Sequence, residues 1–229
     1  MSIRIDTVYQ RVLSILNKEQ RGYVTPQEFN LFANQAQLDI FEQYFYDIGQ
    51  FLRLPPNGHA NASIPNLIEE KISLFEKELN VSINSGYYLL PLDLYRLNNV
   101  VVQTSNNEAE QVSYQYFLRL NKSDLTAPSE TYPVYIQNNN RIELFPNTIV
   151  QNVTLYYVKK PASVLWAHET IFNEPLYDPS ASTDFELHES EETELVIKIL
   201  ELCGILIKDL SLYQAFDKED QETIQQQKS

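Results

Sequence analysis

Apolar residues recur at helical spacing from the start of the chain. Ile5, Val8, Val12, Ile15 and Leu16, with Asp6 near the beginning and Gly22 past the end, predict an amphipathic helix whose narrow stripe needs a partner. Thr25-Pro26-Gln27-Glu28 then supplies an N-cap Thr, a proline suited to the first helical position and a capping-box Glu. The helix that follows is predicted to reach about Leu52, about 40 Å at 1.5 Å per residue. One face carries Phe29, Phe32, Ala33, Ala36, Ile40, Tyr44 and Ile48; Leu31, Leu38, Phe41 and Phe45 widen the apolar surface beyond one stripe, so cover is expected on more than one side.

After a Pro/Gly loop at 54–59 and a short helix expected over 65–75, the period changes from helical to alternating. Residues 79–83 alternate, Gly86 interrupts, 87–90 resume, and Val100-Val101-Val102 form a short apolar run. Val134 and Ile136 are expected to pair with Ile142 and Leu144 across Asn138-Asn139-Asn140, residues that tolerate the left-handed backbone of a tight turn. Pro146-Asn147 leads into a strand over 153–158, which completes an antiparallel meander. An irregular stretch with Pro175 and Pro179 precedes a final helix from about Ser190, with a seam of Leu195, Ile199, Leu202, Leu206, Leu210 and Tyr213.

The whole predicts a single α+β domain: a bundle of two N-terminal helices and one long C-terminal helix with an inserted antiparallel β meander or sandwich. Its parts are N-terminal helices over 1–78, the β insertion over 79–161, an irregular connection over 162–189, the C-terminal helix over 190–216 and a polar, Gln-rich tail over 217–229. The tail has too little apolar area to fold alone, so it is expected either to be frayed in solution or to be ordered by a partner.

Composition turns attention to contact surfaces. Fifteen Tyr and 11 Phe beside one Trp, one Met and five Gly suit extended interfaces or a Tyr-rich core better than a mobile catalytic loop. A net charge of -14, from 17 basic and 31 acidic residues, argues against gripping phosphate, although a surface of that sign lets nucleic acid pass without sticking. The lone Cys203, with apolar Leu202 and Ile205 nearby, excludes an internal disulfide or Cys-based zinc site and reads as a buried thiol. With no secretory apolar block and no run of about 20 uncharged residues, the chain reads as intracellular and not membrane-bound.

Candidate chemistry is sparse. No Gly-rich phosphate loop, nucleophile elbow or His-Glu-x-x-His pair is present, and His59, His168 and His188 stand in unrelated contexts. Glu186, Glu189, Glu191, Glu192 and Glu194 around His188 suggest an oxygen-rich metal site for a metal-dependent hydrolase, but carboxylates in a first helical turn are expected from the helix dipole alone. Asp93 near Arg96 reads as a turn residue. Lys159-Lys160 and the basic residues of 119–122 are too few for a nucleic-acid stripe. No catalytic residue, cofactor or metal is implied, and protein–protein assembly remains.

Several runs carry a family resemblance. The long helix of 25–51, the strand, Leu-Pro-x-Asp turn and strand of 88–100, the hairpin and aromatic third strand of 132–157, and Phe185-Glu186-Leu187 leading into the last helix resemble the head-to-tail adaptor, or ring, proteins of tailed bacteriophages. These include the tail tubular protein A type and the ring proteins of crAss-like phages. The resemblance implies a virion protein assembled in the host cytoplasm, forming a ring of usually twelve copies beneath the portal protein and against adjacent tail or ring proteins. DNA passes through such a ring unbound. Phe41, Phe45 and Phe51 are the candidates for packing between subunits, and Phe216, Ile224, Gln225 and Gln226 mark the tail expected to dock on a neighbour or the portal. A cellular protein–protein interaction module is the alternative.

Overall fold

A computed structural model describes residues 3–18, 24–51, 63–172 and 174–206. The elements run α1 (Ile5–Lys18), α2 (Pro26–Phe51), α3 (Ser63–Ser73), β1 (Glu76–Val81), β2 (Tyr88–Leu89), β3 (Leu94–Val102), β4 (Asn107–Gln111), α4 (Tyr114–Leu120), β5 (Val134–Asn138), β6 (Arg141–Phe145), β7 (Val153–Lys159), β8 (His168–Ile171), β9 (Glu174–Tyr177) and α5 (Glu192–Leu206). The fold is α+β: N-terminal helices, an inserted mixed sheet and a long C-terminal helix. Two compact units emerge, Met1–Leu74 with Pro161–Ser229, and Phe75–Lys160.

In the helical unit the expected stripes are buried. Ile5, Val8, Val12 and Leu16 of α1 and Phe29, Ala33, Ala36, Ile40 and Tyr44 of α2 lie inside, with Leu195, Val196, Ile199 and Leu200 of α5. α5 packs on both α1 and α2, and α3 packs on α2. The start of α2 is fixed by the capping box: the Thr25 amide donates to Glu28 Oε2 at 2.9 Å and the Glu28 amide to Thr25 Oγ1 at 3.3 Å.

The stretch expected to be an irregular connection is instead organised on α2 and contains a hairpin. Asn30, Asn34 and Gln37, at successive turns of α2, hydrogen-bond its backbone. Trp166 N–H donates to Asn30 Oδ1 (2.7 Å), Val164 N–H to Asn34 Oδ1 (2.9 Å) and Glu186 N–H to Gln37 Oε1 (3.0 Å). The side-chain amides of Asn30, Asn34 and Gln37 in turn donate to the carbonyls of Trp166, Val164 and Ala162. A helix face thereby supplies the donors and acceptors that a neighbouring strand would otherwise supply. Trp166, 2% exposed, is wedged against Tyr9 (ring centroids 4.3 Å) and donates Nε1–H to Asp6 at 3.1 Å. Beyond it β8 and β9 pair antiparallel around Phe172.

The second unit is a seven-stranded sheet in the order β1-β7-β3-β4-β5-β6-β2, antiparallel except where β4 and β5 run parallel. Its inward side chains, among them Tyr88, Val100, Val102, Tyr135, Ile142, Leu144, Val153, Leu155 and Tyr157, form one cluster that draws on six strands and on neighbouring loops. A sheet whose face converges on one core must curl, and this one is nearly a closed barrel.

The expected meander is not what forms: β6 pairs with β5 and β2, whereas β7 sits between β1 and β3. β7 buries residues on both faces and is paired along both edges. The β5–β6 hairpin forms, but one residue out of the expected register. Tyr135 lies opposite Leu144 and Gln137 opposite Ile142, because the turn is the two-residue Asn139-Asn140, with Asn139 at φ 52°. A one-residue shift exchanges faces, so Tyr135 enters the barrel core while Val134 and Ile136 join Val112, Phe117, Leu120 and Phe145 in a separate cluster beneath α4.

Candidate functional site

Assembly demands large apolar side chains that the chain itself leaves uncovered. Among the described residues, four places that carry such side chains are α2, α4, the β2–β3 turn and the β8–β9 hairpin. On α2, Gln27, Leu31, Gln35, Leu38, Glu42 and Tyr46 are all exposed and fall at steps of three or four residues, so they form one stripe. Leu31, at 71% exposure, is its most open apolar member.

The second place is α4, capped by Ser113 Oγ accepting the Tyr116 amide. It turns Phe117 and Leu120 onto the cluster beneath it and leaves Tyr114, Tyr116 and Leu118 exposed, followed by Leu125. The third is the β2–β3 turn, where Leu92 is 98% exposed. The fourth is the β8–β9 hairpin, whose tip residue Phe172 is 97% exposed and adopts φ 53°, a left-handed conformation unusual for an aromatic residue.

The sequence candidates fall differently. Phe41 is fully buried and packs edge-on against Phe45 (ring centroids 5.1 Å), so it belongs to the chain's own core and offers no contact surface. Phe45 is half-buried. Phe51 closes α2, and only its backbone is described. Phe216, Ile224, Gln225 and Gln226 lie outside the described residues, as do His59, Leu210, Tyr213 and the 54–59 loop. α4 was legible only as Ser113 before an aromatic-rich run, and the α2 stripe only as apolar residues off the main face.

The acidic cluster at the start of α5 is divided among separate tasks. His188 Nδ1 accepts the Ser190 amide at 3.2 Å and caps the 3-10 turn Glu189–Glu191. Glu186 accepts the Ala162 amide at 2.8 Å, Glu192 pairs with Arg11, and Glu189 is exposed. Glu191 is buried against Lys71 of α3 at 2.5 Å. Among the described residues no three His, Cys, Asp or Glu side chains gather as a metal site. His168 stacks on Trp166 at 5.5 Å, away from this cluster's capping role.

The shifted ionisable groups also lack the pattern of an activated nucleophile. Burial pushes the Cys203 thiol up to about 12, with Glu28 adding to it. Burial raises Tyr88 and Tyr135, and it raises Tyr44 together with the nearby Glu191 and Glu194. These shifts favour the neutral, less nucleophilic forms. Asp93 sits in the turn before β3, where burial pushes its carboxyl up but hydrogen bonds from Lys77 (3.0 Å) and Tyr157 (3.1 Å) outweigh this and hold it below the usual value. Its partners are these two and not Arg96. A cleft of about 490 Å³ lies between the 83–88 turn and β6, where Arg141 stands 5.0 Å over the Tyr87 ring and 3.5 Å from Glu143. Among the described residues no helix is long and apolar enough to cross a membrane.

No protein-family model matches the chain, and no curated protein matches it.

Proposed function

We propose that this chain is a non-catalytic structural subunit of a tailed-bacteriophage portal vertex, a head-to-tail adaptor that closes into a ring beneath the portal, of about twelve copies as the family resemblance implies. The carrying observation is where the adaptor-like runs fall: residues 25–51 on α2, 88–100 on β2, its turn and β3, 132–157 on the β5–β6 hairpin and β7, and 185–187 on the lead into α5. In this reading the helical unit is the bundle of the adaptor and the sheet is its inserted β part.

Two further features support it. A head-to-tail ring requires two different complementary faces on each subunit, and uncovered apolar side chains stand on several distinct elements, including α2, α4 and β8–β9. A conduit for DNA must not retain it, and a net charge of -14 repels the phosphates. The tail of 217–229 is assigned to the neighbour or the portal, with DNA passing through and no membrane involved.

Native mass spectrometry of the full chain, alone and mixed with the portal complex from the same genome, tests the reading. Closed oligomers, or multiple copies loading on the portal, are expected. A monomer or dimer that ignores the portal would overturn it and favour a cellular interaction module.

A further inference from the structure

Two of the uncovered surfaces match each other in shape of charge as well as in apolarity. The α2 stripe runs from Leu31 to Tyr46, about 22 Å at 1.5 Å per residue, with Leu31 and Leu38 exposed along it. α2 carries Glu28, Asp39, Glu42 and Asp47 and no Lys or Arg. Glu42 lies on the stripe itself and is in no ion pair among the described residues, while Asp39, three residues earlier, flanks it and accepts only the Gln35 side-chain amide there.

α4 and its exit present the reverse pattern. Tyr114 and Leu118 are four residues apart on α4 and share one side, with Arg119 beside them and Lys122 in the turn just past the helix. Arg119 and Lys122 are exposed, three residues apart, and neither is in an ion pair among the described residues. No acidic residue lies between Val112 and Ser123, in a chain whose acidic residues outnumber basic ones 31 to 17. Two carboxylates three residues apart on α2, and two cations at the end of α4 and in the turn after it, each set bordered by exposed apolar side chains, fit a contact with a central apolar patch and ion pairs at its edge.

We infer that the α4 segment of one copy docks on the α2 stripe of a second copy, with Tyr114 and Leu118 against Leu31 and Leu38 and with Arg119 and Lys122 facing Glu42 and Asp39. The contact joins different surfaces of the two copies, so it is heterologous and repeats around a ring. It rests on the self-assembly reading above, and it names the faces that make the join.

The test uses two full-length single-substitution proteins, Leu38→Cys and Leu118→Cys, each exposed at the new thiol while native Cys203 stays buried. They are mixed under mild oxidation, with and without the portal complex, and separated without reductant. A disulfide between the two different proteins is expected, with little between identical copies of either. Adding Arg119→Glu and Lys122→Glu to the Leu118→Cys protein is expected to lower the yield at least about tenfold, because like charges then face each other. Adding Asp39→Lys and Glu42→Lys to its partner restores it. Unchanged circular dichroism and melting show that these surface variants remain folded.

Absence of the mixed cross-link overturns the inference, as does preferential Leu38→Cys self-pairing or a yield indifferent to charge reversal. If copies still load on the portal while the cross-link is absent, only this interface falls. If neither occurs, the adaptor reading falls with it.

Discussion

The pair between Lys71 and Glu191 fastens α3 to the start of α5, and its burial makes it sensitive to losing either partner. Lys71 Nζ lies 2.5 Å from Glu191 Oε1, with side chains 13% and 4% exposed. The Ser190 hydroxyl donates to the same carboxylate at 3.0 Å, and Lys71 Nζ stands 5.6 Å over the ring of the buried Tyr44.

Lys71→Met keeps most of the volume but leaves the Glu191 carboxylate without its cation in a nearly closed site. Breaking a buried pair in this way costs about 3–5 kcal/mol. Glu191→Gln is expected to cost less, about 2–3 kcal/mol, because a lysine with some exposure reaches water along its flexible stem. Removing both charges at once, as Lys71→Met with Glu191→Leu, leaves nothing uncompensated and is expected to fall within about 1 kcal/mol of the parent chain.

Urea unfolding followed by tryptophan fluorescence provides the assay. Trp166 is the single tryptophan, is buried, and belongs to the same unit as the pair, so its signal reports that unit. A Lys71→Met cost under about 1 kcal/mol, or a double variant as unstable as the sum of the single ones, would refute the reasoning.

Three other outcomes follow from local geometry. Thr25→Ala removes one half of the α2 capping box and should cost about 1 kcal/mol by the same fluorescence assay, with Thr25→Ser restoring most of it. Asp93 is held below its ordinary value in the folded chain, so its contribution is present at neutral pH and lost as pH falls through the acid range below about 4. Asp93→Asn should therefore flatten the acid limb of stability against pH, read by circular dichroism of the β unit's unfolding, and an unchanged limb would remove the network's assigned role. Cys203, buried and pushed up to about 12, should resist a thiol-specific disulfide reagent at pH 8 in the native chain and react fully in urea. Rapid stoichiometric labelling of the folded protein would contradict its burial.

Residue pattern alone determined the elements that depend on near neighbours. α1 and α2 were legible from apolar spacing, and the start of α2 from Thr25, Pro26 and Glu28, because a helix end is satisfied by groups three residues away. The β5–β6 hairpin was legible from its Asn turn for the same reason. The buried Cys203 followed from its apolar neighbours.

Tertiary structure decided what depends on distant partners. Local alternation could not tell that Val134 and Ile136 are covered by α4 while Tyr135 enters the barrel, since apolar residues on both sides of β5 permit either register. β4 was invisible because Ala109 is its only buried residue, and its parallel pairing with β5 joins segments separated by α4 and a long loop. The segment of 162–166 looked irregular because most of the groups its backbone bonds are side chains of α2 more than a hundred residues earlier, with Thr183 and Glu186 supplying the rest. The set of candidate contact residues changed for the same reason. Composition marked Phe41 as apolar and large, but whether such a side chain faces its own core or a neighbour is set by what packs over it, and here the exposed places went to Leu31, Leu38 and the outer side of α4.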